Sequence, residues 1–265
     1  MIEVQIMKFH DAHCHISSKS FQKDFNLDEY LPKWREEGME FVIGVSTKYT
    51  ESLNALELSN RFKFIIPGIG IHPWSAKKPL NVEMEEKFNR IFSENQNIVI
   101  GEIGLDHHFV KKEERYQYQE QYFKFFLQRA ESKGLPVNIH IKGAEKEAAE
   151  ILSSYNIPPN NILIHWYSGP SKILRVFIER DYFFTINPSI LAGSTHKSVL
   201  ENCSINNILT ESDGNVKYTI ENEPIIGSPG IIPKVIAKIA EIKNSNIDEI
   251  TRLLRQNFIK YTNLG

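Results

Sequence analysis

The sequence predicts an α/β protein whose parallel strands close into an eight-stranded (β/α)8 barrel. Short apolar segments alternate with longer amphipathic ones, which is the pattern of parallel strands joined by crossover helices. Eight such apolar segments can be counted, the number of strands in a closed barrel. The chain has 265 residues, and barrels of this kind commonly take about 250. An open, doubly wound sheet is the competing architecture.

The predicted strands follow the apolar segments in chain order. They are residues 6–11, 41–46, 64–71, 98–102, 137–140, 162–165, 183–186 and 208–210. Residues 113–133 form the clearest predicted helix between them, because their aromatic side chains recur at steps of three and four residues.

Beyond the last strand, residues 215–230 interrupt the alternation with two prolines and two glycines: Pro224, Gly227, Pro229 and Gly230. This composition predicts a long loop. Two extra C-terminal helices are expected after it, at 232–243 and 247–261, with Asn246 as the N-terminal cap of the second. The chain shows no internal repeat, low-complexity tract or linker, so residues 1–265 are expected to form a single domain.

Composition narrows the classes of function. The formal net charge is −2, with both signs interspersed, so no basic surface indicates extended binding to nucleic acid. Cys14 and Cys203 lack paired spacing, which favours a reducing compartment over a disulfide framework. The first eight residues lack the features of a signal peptide and are interpreted as belonging to a first strand. No apolar run approaches the roughly 18 residues of a membrane span. We therefore expect a cytoplasmic protein without a membrane partner.

Two histidines stand close together at the first predicted strand. His13 and His15 are two residues apart, so in an extended chain both rings project to the same face, about 7 Å apart along the strand. A neutral imidazole is the commonest transition-metal ligand. Alone, the pair is explained equally well as an ordinary polar patch, because a metal site needs further donors.

Further metal donors stand where later strands are predicted to end. Glu102, His140 and His165 close the fourth, fifth and sixth predicted strands, and Asp213 lies just beyond the eighth. In a barrel these carboxyl ends converge on one rim, where active sites form. A single histidine at a strand end is more often a satisfied polar group, but the joint placement of six donors indicates a metal centre. Four histidines and two carboxylates exceed the needs of one tetrahedral ion, so the set predicts two divalent ions bridged by Glu102.

Other polar side chains are expected near the same rim. His72 could contact a substrate anion or hydrogen-bond within a turn fixed by Pro73, and these alternatives have about equal weight. Lys142 could meet a negative charge on a substrate, although a solvated lysine is the commoner case. Glu211 could support a metal ligand from behind.

Aromatic residues after the sixth strand have two interpretations. Trp166 and Tyr167 could stack on a base or ring, although core packing is at least as common an explanation. The remaining histidines have no comparable placement and are expected to be structural or peripheral: His10, His107, His108 and His196.

Six short motifs, in order along nearly the whole chain, resemble those of the TatD family of metal-dependent hydrolases. They are DAHCH at 11–15, GIHP at 70–73, GEIGLD at 101–106, PVNIH at 136–140, IHWYSG at 164–169 and TESD at 210–213. The segment from 222 to 258 also looks like the C-terminal portion of the family.

The resemblance implies a TIM-like barrel with a binuclear divalent-metal centre and a phosphodiesterase activity on DNA, commonly exonucleolytic. It also implies the ligands of each ion. His13, His15, Glu102 and Asp213 would surround one ion, and Glu102 would share the other with His140 and His165.

The chain departs from the family pattern at three places that belong to substrate loops. Lys142 replaces a frequent arginine, so a point charge stands where many members have a bidentate fork. Gly214-Asn215-Val216 follows the final aspartate where many members have a proline and an aromatic residue. Trp166-Tyr167 stands where members usually carry Cys-Phe. These differences leave the ligands in place and bear on the substrate.

The leading functional hypothesis is metal-assisted hydrolysis of a phosphodiester, with single-stranded DNA ends as the expected substrate. In this hypothesis a water held between two ions attacks phosphorus, Asp213 orients that water and accepts its proton, and Glu102 bridges the ions. His72 and Lys142 are the expected substrate contacts. The ions could be magnesium, manganese, zinc, cobalt or iron, since imidazole and carboxylate donors suit different members of this set.

Two other classes of function stay open at this point. The same binuclear centre could hydrolyse a carboxylic ester or amide, such as an aminoacyl linkage, since it polarises a carbonyl as readily as a phosphoryl group. Alternatively, the protein could bind metal or nucleic acid without turnover. No obligate protein partner is expected in any of the three.

Overall fold

The computed structural model describes residues 6–193 and 197–264, and its strands form two sheets. The strands are β1 Phe9–Cys14, β2 Met39–Gly44, β3 Ile65–Ile69, β4 Val99–Asp106, β5 Val137–Lys142, β6 Ile162–Ile164, β7 Phe183–Ile186, β8 Ile208–Thr210, β9 Lys217–Ile220 and β10 Glu223–Ile226. The helices are α1 Lys19–Asp24, α2 Leu27–Glu36, α3 Tyr49–Arg61, α4 Val82–Glu94, α5 Tyr116–Lys133, α6 Glu145–Leu152, α7 Ser171–Glu179, α8 Lys197–Asn202, α9 Ile232–Lys243 and α10 Ile247–Thr262.

Strands β1 to β8 pair in parallel and in sequence order, with helices in the connections between them. Contacts between the first and last strands complete the ring. The hydroxyl of Thr210 donates to the carbonyl of His10 at 2.9 Å, and the N–H of His15 donates to the carbonyl of Gly214 at 2.7 Å. The predicted (β/α)8 barrel is therefore confirmed, and the alternative of an open, doubly wound sheet is wrong.

The last helix, α10, closes the amino end of the barrel. Its Phe258 and Tyr261 are buried in one cluster with side chains that point inward from the strands, among them Ala12, Leu163 and Phe183. The amide of Asn257 donates to the carbonyl of Ile205, in the turn before β8, and to that of Ile208, the first residue of β8. Because this end is plugged, the carboxyl ends of the strands form the accessible end of the barrel, and the expectation of extra C-terminal helices is confirmed.

The observed strands β7 and β8 have the predicted bounds, whereas the other six barrel strands differ by one to four residues at one or both ends, β1 and β4 the most. Strand β1 begins three residues later than predicted, and the first five residues of the N-terminal segment interpreted as a strand lie outside the described residues, as does His196. Strand β4 continues four residues past Glu102, because its register against β5 shifts between Ile100 and Ile103. Gly104 permits this continuation, since its φ is +139° and a Cβ there would lie 2.0 Å from the carbonyl oxygen of His140.

The prediction of a long loop over residues 215–230 is wrong in its middle, where β9 and β10 form an antiparallel hairpin. Glu221 and Asn222 make the two-residue turn with φ of +52° and +66°, the backbone that tight hairpin turns require. Along β9 exposed and buried residues alternate, and the hydroxyl of buried Tyr218 donates to the carbonyl of Ser212 at 3.0 Å. The hairpin therefore packs behind the segment that follows β8.

The predicted helices after residue 112 are confirmed with small changes at their ends. A 3-10 turn occupies the first residues of the predicted 113–133 helix, and α5 then runs to Lys133. Asn246 caps α10 as expected, since its side chain accepts from the N–H of Asp248 at 2.7 Å. In the part of the chain that the structure describes, none of the helices has the length and apolar character needed to span a membrane.

Candidate metal centre

The six predicted metal ligands meet at the accessible end of the barrel, although they come from five different strand regions. They are His13, His15, Glu102, His140, His165 and Asp213. Five of them are buried and His15 is partly buried. The premise that each ends a strand was wrong for Glu102 and His140, which lie inside longer strands with their side chains directed into the barrel mouth.

One group of donor atoms gathers around a single oxygen of Asp213. Asp213 Oδ1 lies 3.5 Å from His13 Nε2 and 3.3 Å from His15 Nε2. The same two nitrogens lie 3.7 Å and 3.6 Å from Glu102 Oε2. Four donor atoms, from β1 and the residue after it, from β4 and from the segment after β8, thus surround one small volume, which is the arrangement that a bound cation requires.

A second group gathers around the other oxygen of Glu102. Oε1 lies 3.0 Å from His140 Nδ1, 3.3 Å from His165 Nε2 and 3.3 Å from His72 Nε2. The two oxygens of one carboxylate therefore face two different sets of imidazoles. Glu102 is the only residue of the cluster, among those the structure describes, that contacts both sets through separate oxygens.

The outward ring nitrogens of three histidines each meet an oxygen acceptor. His13 Nδ1 lies 3.0 Å from Asn138 Oδ1. His165 Nδ1 lies 3.0 Å from Glu211 Oε2, and His140 Nε2 lies 3.0 Å from Asp106 Oδ2. An N–H donated outward leaves the lone pair of the other nitrogen directed at the cluster, which is how metal-ligating histidines are usually held.

His72 has the opposite arrangement. Its Nδ1 accepts a hydrogen bond from the N–H of Trp74 at 3.1 Å, so in the neutral ring Nε2 carries the proton and directs it towards Glu102 Oε1. The ring is buried. The geometry therefore places His72 as a hydrogen-bond donor to the cluster, where its lone pair is turned away from the centre.

Burial and neighbouring charges set the protonation of the cluster. Burial, with His165 nearby, lowers the pKa of His13 to about 3. Burial opposes the ionisation of Asp213, but the hydrogen bond with His15 and the charge of His165 bring its pKa to about 2. Burial likewise opposes the ionisation of Glu102, and the surrounding imidazoles hold its pKa well below the usual range. Both carboxylates are therefore anionic at neutral pH.

The donors present fit divalent cations. Within the described residues, Glu102 Oε2 is buried without a hydrogen-bond partner, and a buried anionic oxygen of this kind is stable only when its charge is compensated. Imidazole nitrogens and carboxylate oxygens are the donors that zinc, manganese, iron and cobalt accept. Asp213 is also held in the left-handed region at φ +44°, a strained backbone that is typical of functional positions.

A cleft of about 470 Å³ opens above the cluster. Five of the six proposed ligands line it, all except His13, and its walls include Trp74, Phe109, Lys142, Trp166 and Asn215. Lys142 ends β5, donates to the hydroxyl of Ser168, and holds its Nζ 5.6 Å from the centroid of the Trp166 ring. Burial lowers the pKa of Lys142. The lysine therefore lies in the cleft wall.

The two aromatic residues after β6 have different environments. Trp166 lines the cleft, and its ring stacks near Tyr218 with centroids 5.9 Å apart. Tyr167 is buried in the core, and its hydroxyl donates to the carbonyl of Pro170 at 2.8 Å. Of the two interpretations given above, ring contact is geometrically open to Trp166 and core packing describes Tyr167.

Three of the other histidines lie away from the cluster. His10 is buried against Phe258 with ring centroids 4.3 Å apart, and His107 stacks on Tyr116 at 3.6 Å. His108 packs edge-on against Phe109. None of these three rings contacts a proposed ligand among the described residues.

Sequence reasoning missed four residues of the site. Asn138 and Asp106 hold ligand histidines, and Trp74 and Phe109 form part of the cleft wall. A signal existed for Asn138, because it precedes His140 by two residues and so faces the same way along a strand. Asp106 stands four residues after Glu102 and could have been placed on the same face by the same argument. That argument needs β4 to continue as far as Asp106, which the predicted strand did not.

Comparisons with known proteins cover almost the whole chain. A family model described as TatD related DNase matches residues 10–263. An uncharacterized metal-dependent hydrolase of Methanocaldococcus jannaschii is 28% identical over 256 residues, which is 96% of this chain and 97% of that protein. The human deoxyribonuclease TATDN3 is 26% identical over 266 residues, covering 94% of this chain and 93% of its own. Among solved structures, the TatD homologue YJJV from Escherichia coli K12 superposes with a TM-score of 0.85 at 21% identity, over 98% of this chain and 100% of that one.

Proposed function

The chain belongs to the TatD-related DNase family of metal-dependent hydrolases, and from this premise we propose that it hydrolyses phosphodiester bonds at the ends of single-stranded DNA. The arrangement of Glu102 carries the proposal. Its Oε2 faces His13 and His15, and its Oε1 faces His140 and His165. A carboxylate with two such faces is suited to bridge two cations, which is the arrangement used for in-line displacement at phosphorus.

The proposed ligands divide between the two faces. His13, His15 and Asp213 would hold one ion with Glu102 Oε2, and His140 and His165 would hold the other with Oε1. Divalent ions bound there would lower the pKa of a water molecule and neutralise charge on phosphoryl oxygens. The chemistry of the donors is compatible with several metals, so the number and identity of the ions are part of what the experiment below measures.

Asp213 has the properties of a residue that orients water and accepts a proton. Its carboxylate lines the cleft and is ionised at neutral pH, since its pKa is about 2. The N–H of Asp213 donates to the carbonyl of His13 at 3.0 Å, which fixes the position of Asp213 beside the first group of donors. A proton accepted there is close to His15, whose Nε2 lies 3.3 Å away.

Lys142 and His72 are proposed as the substrate contacts. Lys142 places a positive charge in the cleft wall, where it can meet a phosphate oxygen as a point charge. The ring of His72 also lines the cleft, where a substrate can contact it, while its N–H is directed towards Glu102 Oε1. The net charge of −2 gives the protein no general attraction for DNA. In this proposal the attraction therefore comes from the cleft, through Lys142 and bound cations.

Two wider predictions accompany the proposal. The match over residues 10–263 supports the expectation that the chain is one hydrolase domain. The cytoplasmic location stays a prediction, and the two cysteines are compatible with it because both are free and buried.

One experiment tests the proposed function against its alternatives. Purified protein would be analysed for bound metals, and the same sample would be assayed on single-stranded DNA, duplex DNA and an acyl ester, with and without a chelator. We expect chelator-sensitive release of nucleotides from single strands, restored by adding a divalent metal. Faster turnover of the acyl ester would support carboxylic ester hydrolysis instead, and full metal occupancy without hydrolysis would support a binding role.

A further inference from the structure

Two aromatic rings stand exposed in the wall of the cleft, beside the proposed metal ligands. Trp74 and Phe109 are 49% and 58% exposed, and both line the cleft. Their ring centroids lie 5.5 Å apart with an interplanar angle of 78°. Of the large apolar side chains that are exposed in the described part of the chain, these two are the aromatic ones.

A single carboxylate holds the Trp74 ring and the backbone of Phe109. Trp74 Nε1 donates to Asp106 Oδ2 at 2.6 Å, and the N–H of Phe109 donates to Asp106 Oδ1 at 2.7 Å. Gln119 in turn fixes the backbone of Asp106 through two hydrogen bonds of 2.9 and 3.1 Å. An exposed ring that is anchored in this way, as Trp74 is, loses little freedom on binding a ligand, and the fixed backbone keeps Phe109 beside it.

The same carboxylate connects the aromatic rings to the metal cluster. Asp106 Oδ2 also lies 3.0 Å from His140 Nε2, and the Trp74 ring lies 6.4 Å from the His140 ring. A group attached to a phosphate at the cluster would therefore reach these rings directly. The neighbouring wall carries Lys142, which suits the anionic part of such a substrate.

We propose that Trp74 and Phe109 stack a nucleobase next to the scissile phosphate, so that the enzyme prefers phosphodiesters whose flanking sugar carries a base. This inference rests on the proposed function. It concerns the base on the neighbouring sugar, a part of the substrate that the metal cluster does not contact. Aromatic side chains stack on any base because every base has a π-face. The preference is therefore for the presence of a base and has little dependence on which base it is.

The test compares matched single-stranded oligonucleotides that differ only at the terminal sugars, which carry either bases or abasic tetrahydrofuran residues. We expect the wild-type protein to cleave the base-bearing strand with a kcat/KM about tenfold higher, the scale of one base stacked on an aromatic ring. Phe109→Leu should bring this ratio close to one, because the base-bearing strand loses the stacking contact that the abasic strand never makes. Phe109→Tyr should keep the ratio, and Val82→Ala, which changes an exposed apolar residue on α4 outside the cleft lining, should not alter it.

A binding measurement separates stacking from catalysis. Oligonucleotides with a terminal 2-aminopurine would be titrated with the Asp213→Asn protein and with the Asp213→Asn, Phe109→Leu double variant. Stacking quenches the fluorescence of 2-aminopurine, so we expect strong quenching with the first protein and weak quenching with the second. Equal quenching would overturn the inference.

The outcomes also distinguish failure of this inference from failure of the proposed function. Equal cleavage of base-bearing and abasic strands by the wild-type protein overturns the stacking and leaves the nuclease activity in place. Absence of cleavage of either strand by metal-loaded protein overturns the proposed function, and the 2-aminopurine titration then decides whether the rings stack a base.

Discussion

His165 Nδ1 lies 3.0 Å from Glu211 Oε2, on the side of the imidazole that faces away from the metal cluster. The carboxylate of Glu211 is buried and is also approached by the amide of Asn187 at 3.4 Å. This relationship fixes which nitrogen of His165 carries the proton and leaves Nε2 free to bind a cation.

Glu211→Gln should weaken metal binding by about 10- to 100-fold, the usual effect of removing an acceptor behind a ligand histidine. Competition between the protein and a chelator of known affinity measures the change. Glu223→Gln, on the exposed edge of the hairpin, serves as the matched control and should bind metal normally. Unchanged affinity in Glu211→Gln would show that this carboxylate does not orient a ligand.

Asp213→Asn should keep the fold and lower kcat by at least about two orders of magnitude, the scale expected for a lost proton acceptor. The rate would be measured at saturating metal, with metal content determined on the same sample so that loss of an ion is recognised. Circular dichroism and thermal unfolding provide the control for folding. Near wild-type turnover would remove Asp213 from its proposed role.

Lys142→Ala should raise the KM for DNA about tenfold while changing kcat little, because the side chain lies in the cleft wall and binds substrate before and during the reaction. Lys142→Arg retains the charge and should recover most of the binding. A matching rise in KM in both variants would indicate that the shape of the wall matters and the charge does not.

Acid should destabilise the protein through His10, at the closed end of the barrel. Burial lowers the pKa of His10 to about 4, whereas the unfolded chain takes up this proton near pH 6.5. Between these values the unfolded state binds more protons, so the free energy of unfolding falls as the pH is lowered, by about 2 kcal/mol between pH 7 and pH 5. Urea unfolding of wild-type protein and His10→Phe at both pH values, under the same metal conditions, isolates this contribution. The wild-type protein should lose about 2 kcal/mol more than the variant, and equal losses would contradict the assignment.

Gly104→Ala should destabilise the protein more than Gly134→Ala. Both glycines have a positive φ, but a Cβ at Gly104 would meet the carbonyl oxygen of His140 at 2.0 Å, whereas nothing lies within 4 Å of one at Gly134. Gly134→Ala should therefore lower the free energy of unfolding by about 1–2 kcal/mol, from backbone strain alone. Chemical denaturation should show a clearly larger loss for Gly104→Ala, and a similar loss in the two variants would mean that β4 and β5 separate easily.

The positions of the metal ligands could be predicted from the sequence because parallel strands bring their carboxyl ends together whatever the details of each strand. The prediction of the ligands did not depend on the exact ends of the strands, as Glu102 shows. It lies in the middle of β4 and yet points into the cluster, because the register shift beside it turns the strand locally. Such a shift depends on pairing with β5, a contact that a local sequence pattern does not contain.

The cleft wall was harder to predict. Trp74 and Phe109 are large apolar residues of types that usually lie in the core. Their exposure depends on how the loops after β3 and β4 lie over the barrel. The hairpin at β9 and β10 was missed for a different reason. Pro224 and the flanking glycines indicated a loop, and they outweighed the short alternation around Tyr218 that marks a strand.

The closure of the barrel has a consequence for how the protein is made. The N–H of Asp213 donates to the carbonyl of His13 at 3.0 Å, so the first and last members of the ligand set meet only when the strand ring is complete. During synthesis, most of the ligand residues are already present before the last strand is made, and they cannot yet be brought together. Tight metal binding would then come at the end of folding, after the barrel has closed. Because the site is absent in the unfolded chain, the free energy of metal binding would add directly to the stability of the closed barrel.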